Sequence, residues 1–318
     1  MNNSLTPIND NYLKRMDSKV LDRRKIFKKD YISACLLLIP TFAIVAIVFF
    51  YPVIAVIRSS FFNFQSEIPK FVGFNNFKVI FGDSRFWISI KNNFLLIICC
   101  TPVLVFLSLV LATFLYDRIK FWKGYRFISF LPYIVPITVV SVAFSYILML
   151  KGVLNEILRF LNLDFLIVDW FRTPKTALIT IMIVVIWKEL GFGIILMSAR
   201  ILSLSEDVFE AARIDGANWW QNFIHVIIPQ LRSIIEFYIV ILTVTMFSWV
   251  FNYVYIMTRG GPGVSTWVGE MYVYQAAFRY NYRGVASATA LVILVITLLI
   301  IVFQLKITRS EEYETLRS

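Results

Sequence analysis

Six blocks of about twenty mostly apolar residues divide this chain, and polar stretches of unequal length separate them. The blocks run approximately from Tyr31 to Ile57, Asn93 to Tyr116, Phe127 to Leu150, Thr176 to Ala199, Ile234 to Met257 and Val285 to Ile307. Twenty helical residues at ~1.5 Å each cross the ~30 Å hydrocarbon core of a bilayer. Several blocks contain Pro, Gly or Ser, which spanning helices tolerate when neighbours satisfy the freed backbone groups. Shorter periods lie between the blocks. Phe77, Ile80 and Phe81 have helical spacing and predict a short helix in the outer interface. Leu154, Ile157, Leu158 and Leu161 predict an amphipathic helix that ends before Pro174. The pattern predicts an all-α polytopic membrane protein with six transmembrane helices. A single membrane domain covers residues 31–307, between a basic tail at 1–30 and a short tail at 308–318.

Composition agrees with that class. Of 318 residues, 59% are hydrophobic and 16% charged, and the mean hydropathy is +0.74, too apolar for a soluble domain of this size. Charge placement then sets the orientation. The first thirty residues hold eight Lys or Arg, far more than the short basic head of a secretory signal, so the first span is expected to remain as an anchor. The tail and the loop Asp117–Arg126 together hold twelve basic residues, whereas the opposite-side loops spread twelve over roughly ninety residues. The positive-inside bias therefore places both termini, and the segment Arg200–Ser233, in the cytoplasm. The formal charge of +11 does not imply nucleic acid, because the basic residues flank spans and meet anionic lipid.

Enzymatic chemistry finds no residues to stand on. There is no GxxxxGK[ST] phosphate loop, and Gly260-Gly261-Pro262-Gly263 lacks the Lys and reads as a tight external turn. No Ser/His/Asp, Cys/His or HExxH arrangement occurs, and His225 is the sole histidine. Cys35, Cys99 and Cys100 all fall in spans, so neither a disulfide framework nor a metal site is implied.

The polar segment 200–233 carries the densest punctuation. Ser205 is placed to cap a helix whose first turn holds Glu206 and Asp207 and which continues through Glu210-Ala211-Ala212-Arg213-Ile214. Gly216 supplies a residue that can turn left-handed. Trp219, Trp220 and Phe223 then have the spacing to bolt a second short helix to the spans, and Pro229 marks where the next span begins. Helix, hinge and bolt make either a rigid knob for a partner's groove or an amphipathic helix resting on the inner leaflet. The external stretches, rich in Trp267, Tyr272, Tyr274 and Phe278, read equally as a docking face or as an aromatic belt.

This segment resembles the cytoplasmic loop of bacterial ABC-importer permeases, whose pattern is EAA, three residues, Gly, nine residues, then Ile-x-Leu-Pro. Glu210, Ala211, Ala212, Gly216 and Pro229 match in register, with Val226 and Ile228 replacing Ile and Leu. The likeness extends over roughly residues 30 to 307, through Gly73-Phe74-Asn75-Asn76-Phe77, Gly152-Val153-Leu154-Asn155, Trp187 with Gly191-Phe192, Asp215-Gly216-Ala217, Met257-Thr258 with Gly260-Gly261-Pro262, and Ala286-Ser287-Ala288. Together these are similar to the carbohydrate branch, the oligosaccharide, disaccharide and glycerol-phosphate group, and to the first of its two permeases. The resemblance implies a type I ABC importer permease architecture in a bacterial cytoplasmic (inner) membrane. It implies a second permease as heterodimer partner, two ATPase subunits that carry the ATP and Mg, and an extracellular solute-binding protein that delivers a sugar or oligosaccharide. The chain itself would bind no cofactor. Glu210, Ala211, Ala212, Asp215, Gly216, Ala217 and Pro229 would couple to the ATPase.

Lys188 and Glu189 lie midway along the fourth block, where each charge costs about 2.5–3.5 kcal/mol on insertion scales. Such residues face a water-filled cavity, a partner, or each other. With Trp187 as a stacking aromatic, and with Asn252 and Tyr253 in the fifth block, they are the candidate substrate contacts, against a structural charge pair. An ion-coupled secondary transporter would use Lys188 and Glu189 as coupling residues, and a membrane scaffold would not need the knob. The identity of the sugar is not legible in the chain.

Overall fold

The computed structural model describes residues 35–116 and 121–315. The basic tail 1–30 and the loop residues Arg118 and Lys120 lie outside the described residues. The chain divides into two units, Met1–Arg58 and Ser59–Ser318. In the first, α1 (Cys35–Ser60, its last two residues belonging to the second unit) is one apolar helix with mean hydropathy 2.5.

The second unit opens with a two-stranded antiparallel hairpin, β1 (Phe62–Asn63) and β2 (Lys70–Phe71), in which Phe62 pairs with Phe71. Then come α2 (Asn75–Gly82), the long α3 (Ser84–Tyr116), α4 (Trp122–Ile134), α5 (Ile137–Ile147), α6 (Val153–Phe160), α7 (Pro174–Ile201) and α8 (Glu206–Ile214). The chain ends with α9 (Trp219–Ser248), α10 (Val250–Tyr253), α11 (Gly269–Tyr274) and α12 (Arg283–Thr315). Among the described residues, five helices are long and apolar enough to cross a membrane, and six spans result when the bent pair α4–α5 counts as one.

Three expectations need correction. The third block is not one helix, because the axes of α4 and α5 meet at 93°. Val135 is extended ahead of Pro136, whose ring excludes helical geometry from the preceding residue. The fifth span is shifted towards the N-terminus, since α9 begins at Trp219 and breaks after Ser248, short of Met257. Pro229 accordingly lies inside α9. A π-turn at Phe223–Ile227 opens the helix just ahead of it, where the ring would otherwise meet the preceding turn. The last helix continues without a break from the span through residues 308–315.

Close approach at α7 holds the bundle. A Cβ on Gly191 would sit 2.4 Å from the Ser129 carbonyl of α4, and one on Gly193 would sit 2.1 Å from Ser108 Oγ of α3 and 2.6 Å from the Tyr238 hydroxyl of α9. Small residues at such crossings let helix backbones meet where apolar burial alone gives no drive for association. Thr173 and Thr176 close a capping box at the start of α7, with Pro174 in the first turn, where its missing N–H is not needed.

Buried Asn side chains sew the loops to the spans. Asn76 donates to the Ser60 and Phe62 carbonyls (2.8 and 3.0 Å). Asn155 donates to Val168 O (2.9 Å) and, at longer range, to Met149 and Leu150. From α3, Asn92 donates to the Ser265 and Trp267 carbonyls (2.7 and 2.8 Å). Asn93 donates to Met246 O (2.6 Å) and accepts from Gly269 N–H (2.7 Å). Each carboxamide satisfies loop backbone groups that would otherwise be buried unpaired.

Candidate functional site

The segment joining α7 to α9 folds as a helix, a four-residue turn (215–218) and a second helix. The Ser205 hydroxyl caps α8 by accepting from Asp207 N–H (3.3 Å), with Glu206 and Asp207 in the first turn. At the other end Gly216 sits at φ +75°, while Gly216 N–H bonds Arg213 O and Ala217 N–H bonds Ala212 O. That is the Schellman pattern, in which a left-handed residue lets two backbone donors reach back over the last turn. Asn218 then caps α9 at once, and its amide and that of Gln221 exchange bonds of 2.8 and 2.9 Å with each other's backbone. Only the caps Asp215 and Asn218, with Gly216 and Ala217 between them, separate the two helices, so the segment is stiff.

Two aromatic contacts fasten it to the C-terminal end of α3. Buried Phe209 of α8 meets Tyr116 with ring centroids 4.7 Å apart. Trp219 is sandwiched between Phe114, at 4.8 Å, and buried Phe223, at 5.2 Å and nearly parallel. Trp219 and Phe223 therefore act as the expected bolt. Trp220 does not: it stands edge-on to Trp219 and remains 57% exposed. Phe114 and Tyr116 escaped the sequence reading because single aromatics at span ends look like belt residues, and Phe209 because a lone aromatic in a short polar helix has no visible partner. Glu210, Ala211, Asp215, Gly216 and Pro229 are exposed, and Ala212 and Ala217 partly so. Ile214 protrudes beside the turn, 86% exposed.

The mid-span candidates separate into two sets. Lys188 and Glu189 are both buried, with Nζ 3.9 Å from Oε1. Lys188 Nζ donates to Tyr133 O at 3.1 Å and lies 4.8 Å from that ring's centre. Tyr253, fully buried, directs its hydroxyl at Glu189 Oε1 (3.4 Å), and Tyr238 donates to the Glu189 carbonyl (3.3 Å). The cluster joins α4, α7, α9 and α10, and it draws in Tyr133 and Tyr238, which the spacing gave no reason to single out. Trp187 and Asn252 stand apart from it. Trp187 is 42% exposed and packs on Phe144, and Asn252 is half-buried with its amide turned back to Trp249 O.

The family profile described as "Binding-protein-dependent transport system inner membrane component" matches residues 81–310. The chain belongs to that family, and its fold is that of a type I ABC importer permease. It is 33% identical over 285 residues to the probable ABC transporter permease protein YurN of Bacillus subtilis (strain 168), covering 88% of this chain and 97% of that one. It is 29% identical over 304 residues to the sulfoquinovosyl glycerol transport system permease protein SmoG of Agrobacterium fabrum (strain C58 / ATCC 33970), covering 94% and 98%. Among solved structures, a chain of a bacterial ABC transporter involved in the import of the acidic polysaccharide alginate superposes with a TM-score of 0.78 at 25% identity, covering 91% of this chain and 99% of that one. Membership removes the ion-coupled carrier and the scaffold as readings.

Proposed function

We propose that this chain is a transmembrane permease subunit of an ATP-driven importer for a sugar or oligosaccharide. It would pair with a second permease and be driven by two ATPase subunits that bind ATP and Mg. An extracellular solute-binding protein would supply the cargo. The observation that carries the reading is the 205–229 segment, a double-capped knob bolted to α3 with an apolar tip at Ile214. A tip of that kind suits a hydrophobic slot on a cytoplasmic partner, and membership of a binding-protein-dependent family supplies the reason for one. Carbohydrate cargo is supported by similar proteins named for sulfoquinovosyl glycerol and for alginate.

The coupling follows from rigidity. Closure of the ATPases moves the knob, the Phe114–Trp219–Phe223 stack transfers that movement to α3 and α9, and the bundle passes between its two states. A nucleotide shifts that equilibrium only through contacts that differ between the states, so the knob must hold both the ATPase and its own spans throughout the cycle. Glu210, Ala211, Ala212, Asp215, Gly216, Ala217 and Pro229 form or flank the contact. In the membrane, the accessible side chains Trp187 and Asn252 are the better substrate contacts. Lys188, Glu189 and Tyr253 serve as a buried strut between helices, since in this arrangement no sugar hydroxyl reaches them. Both termini are cytoplasmic, and the chain carries no catalytic group.

The test is purification from the native membrane in mild detergent, followed by ATPase assay in proteoliposomes with and without binding protein and sugar. A second permease and a phosphate-loop ATPase are expected to co-purify, with sugar-stimulated hydrolysis that Gly216→Pro abolishes. A chain recovered alone, or stimulation that survives Gly216→Pro, would overturn the reading.

A further inference from the structure

Two adjoining hollows open on the face that carries the hairpin, α2 and α11, remote in sequence from the coupling segment. One encloses ≈ 250 Å³ beside Asp83, Arg85, Gln275 and Tyr280. The other encloses ≈ 290 Å³ beside Asn63, Gln65 and Asn75. Val79, Tyr282 and Val285 line both, so the two are lobes of one groove that meet at these residues. Together they reach the ~300–1,000 Å³ typical of small-molecule sites.

The chemistry of the lining is uncharged in sum. Asp83 and Arg85 neutralise each other through a two-pronged pair (Nε to Oδ1 3.0 Å, Nη2 to Oδ2 2.8 Å), and the Tyr272 hydroxyl donates to the same carboxylate at 3.0 Å. Burial works to raise the Asp83 carboxyl, but the hydrogen bonds from Arg85 and Tyr272 outweigh it and hold the group below the ordinary carboxylate range. Arg85 also lies 5.8 Å from the centre of the Tyr280 ring. The ion pair is thus occupied with protein groups and serves as a wall.

Other groups are free to bind. The side-chain amides of Gln65, Asn75 and Gln275 and the hydroxyls of Tyr280 and Tyr282 make no hydrogen bond to the described residues, and the two tyrosines are 47% and 45% exposed. Carboxamides offer a donor and an acceptor side by side, the pairing that vicinal hydroxyls accept and return, and tyrosine faces cover the C–H face of a sugar ring. Backbone geometry keeps the groove open. Asn76 ties the hairpin to α2, and Gly284 brings the start of α12 so close that a Cβ would lie 2.0 Å from Phe62 O.

We propose that this groove is an outer saccharide-binding site, separate from the mid-membrane residues, that takes two consecutive units of a neutral oligosaccharide, one in each lobe. It rests on the reading of the chain as a carbohydrate importer subunit. It would hold the trailing end of a chain, or a second molecule, on the extracellular side. A pair of lobes with amides at both ends suits a neutral glycan better than a uronate, because the one cation in the lining is already paired.

The experiment is ligand-observed saturation-transfer NMR on the assembled importer in nanodiscs, without binding protein. The probes are maltose, cellobiose, lactose and, as an anionic control, digalacturonate. At least one neutral disaccharide is expected to bind and the control not to. Tyr282→Ala should weaken binding at least ten-fold, and Gln275→Ala or Asn75→Ala three- to ten-fold. The thermal midpoint should stay unchanged for Tyr282→Ala and Asn75→Ala, whose side chains are exposed. Absence of neutral-sugar binding, or binding indifferent to all three substitutions, would overturn the proposal. In a separate cross-linking assay with binding protein added, loss of cross-linking in Tyr282→Ala with unchanged sugar contact would also overturn it and make the groove a protein-docking face. Sugar-stimulated ATPase activity of the same complex in proteoliposomes with binding protein, measured in parallel, tells a failed groove from a failed importer assignment.

Discussion

At the scale of single residues, two buried charged sites make opposite demands. Lys188 and Glu189 satisfy one another with help from Tyr133 and Tyr253. Removing one partner strands the other, so Lys188→Met should lower stability by about 3–5 kcal/mol, read as a drop in the detergent melting midpoint. Lys188→Met combined with Glu189→Gln should recover most of the loss, and equal damage in the single and double variants would show that the pair does not act as a strut. Glu270 at the start of α11 lacks such help. Both its carboxylate oxygens are shielded from solvent without a hydrogen bond of good geometry, the nearby Asn93 amide being engaged by Met246 O. Burial pushes its carboxyl up to about 7, against smaller lowering from its own backbone and Asn93. The unfolded chain releases this proton near 4.5 and the folded chain near 7, so between those values the unfolded state binds fewer protons. Stability therefore falls as pH rises through that window, by about 3 kcal/mol in all. Glu270→Gln should flatten the dependence between pH 5 and 7.5, and an unchanged slope would place the titration elsewhere.

At the scale of elements, the knob works because each part is fixed locally. Gly216 at φ +75° has open space around its missing Cβ, so Gly216→Ala introduces no clash and acts only through backbone strain of about 1–2 kcal/mol. The expected outcome is a normally inserted protein with an unchanged global melt but weakened sugar-stimulated ATPase activity, and Gly216→Asn should retain more than Ala. Trp219→Ala removes the middle ring of a three-ring stack. It should cost about 3 kcal/mol and uncouple hydrolysis from transport, both measurable in one preparation. The same logic explains Asn92 and Asn93, which pin residues 265–269 to α3. Much of the candidate site was legible at this scale. The Ser205 cap, the Gly216 turn and the Trp219–Phe223 pair came from spacing alone, because caps and turns are local. The anchors Phe114 and Tyr116 did not, because nothing in their neighbourhood distinguishes a ring that meets α8 or α9 from one that meets lipid.

At the scale of the whole molecule, the six-span topology carries a testable consequence. In a cysteine-free background, a thiol introduced at Ser205 should react only with reagent supplied from the cytoplasmic side, and one at Gln65 only from outside. Reversal of either would invert the assigned orientation and remove the knob from reach of an ATPase. The buried cluster and the outer groove both depend on elements distant in sequence. Lys188 meets Tyr133 across 55 positions, and Tyr272 meets Asp83 across 189.

The sequence by itself determined the class, the number of spans and the position and punctuation of the 205–229 segment, because hydrophobic length and capping residues act within a turn or two of themselves. Only the tertiary structure decided that the third span bends by 93° at Val135–Pro136, that Pro229 lies within a helix behind a π-turn, and that Lys188 and Glu189 are sealed away while Trp187 and Asn252 remain accessible. The sealing of Lys188 and Glu189 depends on which helices meet α7, as they do at Gly191 and Gly193. That choice is made by complementary surfaces, and a linear pattern of apolar and polar positions does not encode which surface each face will find.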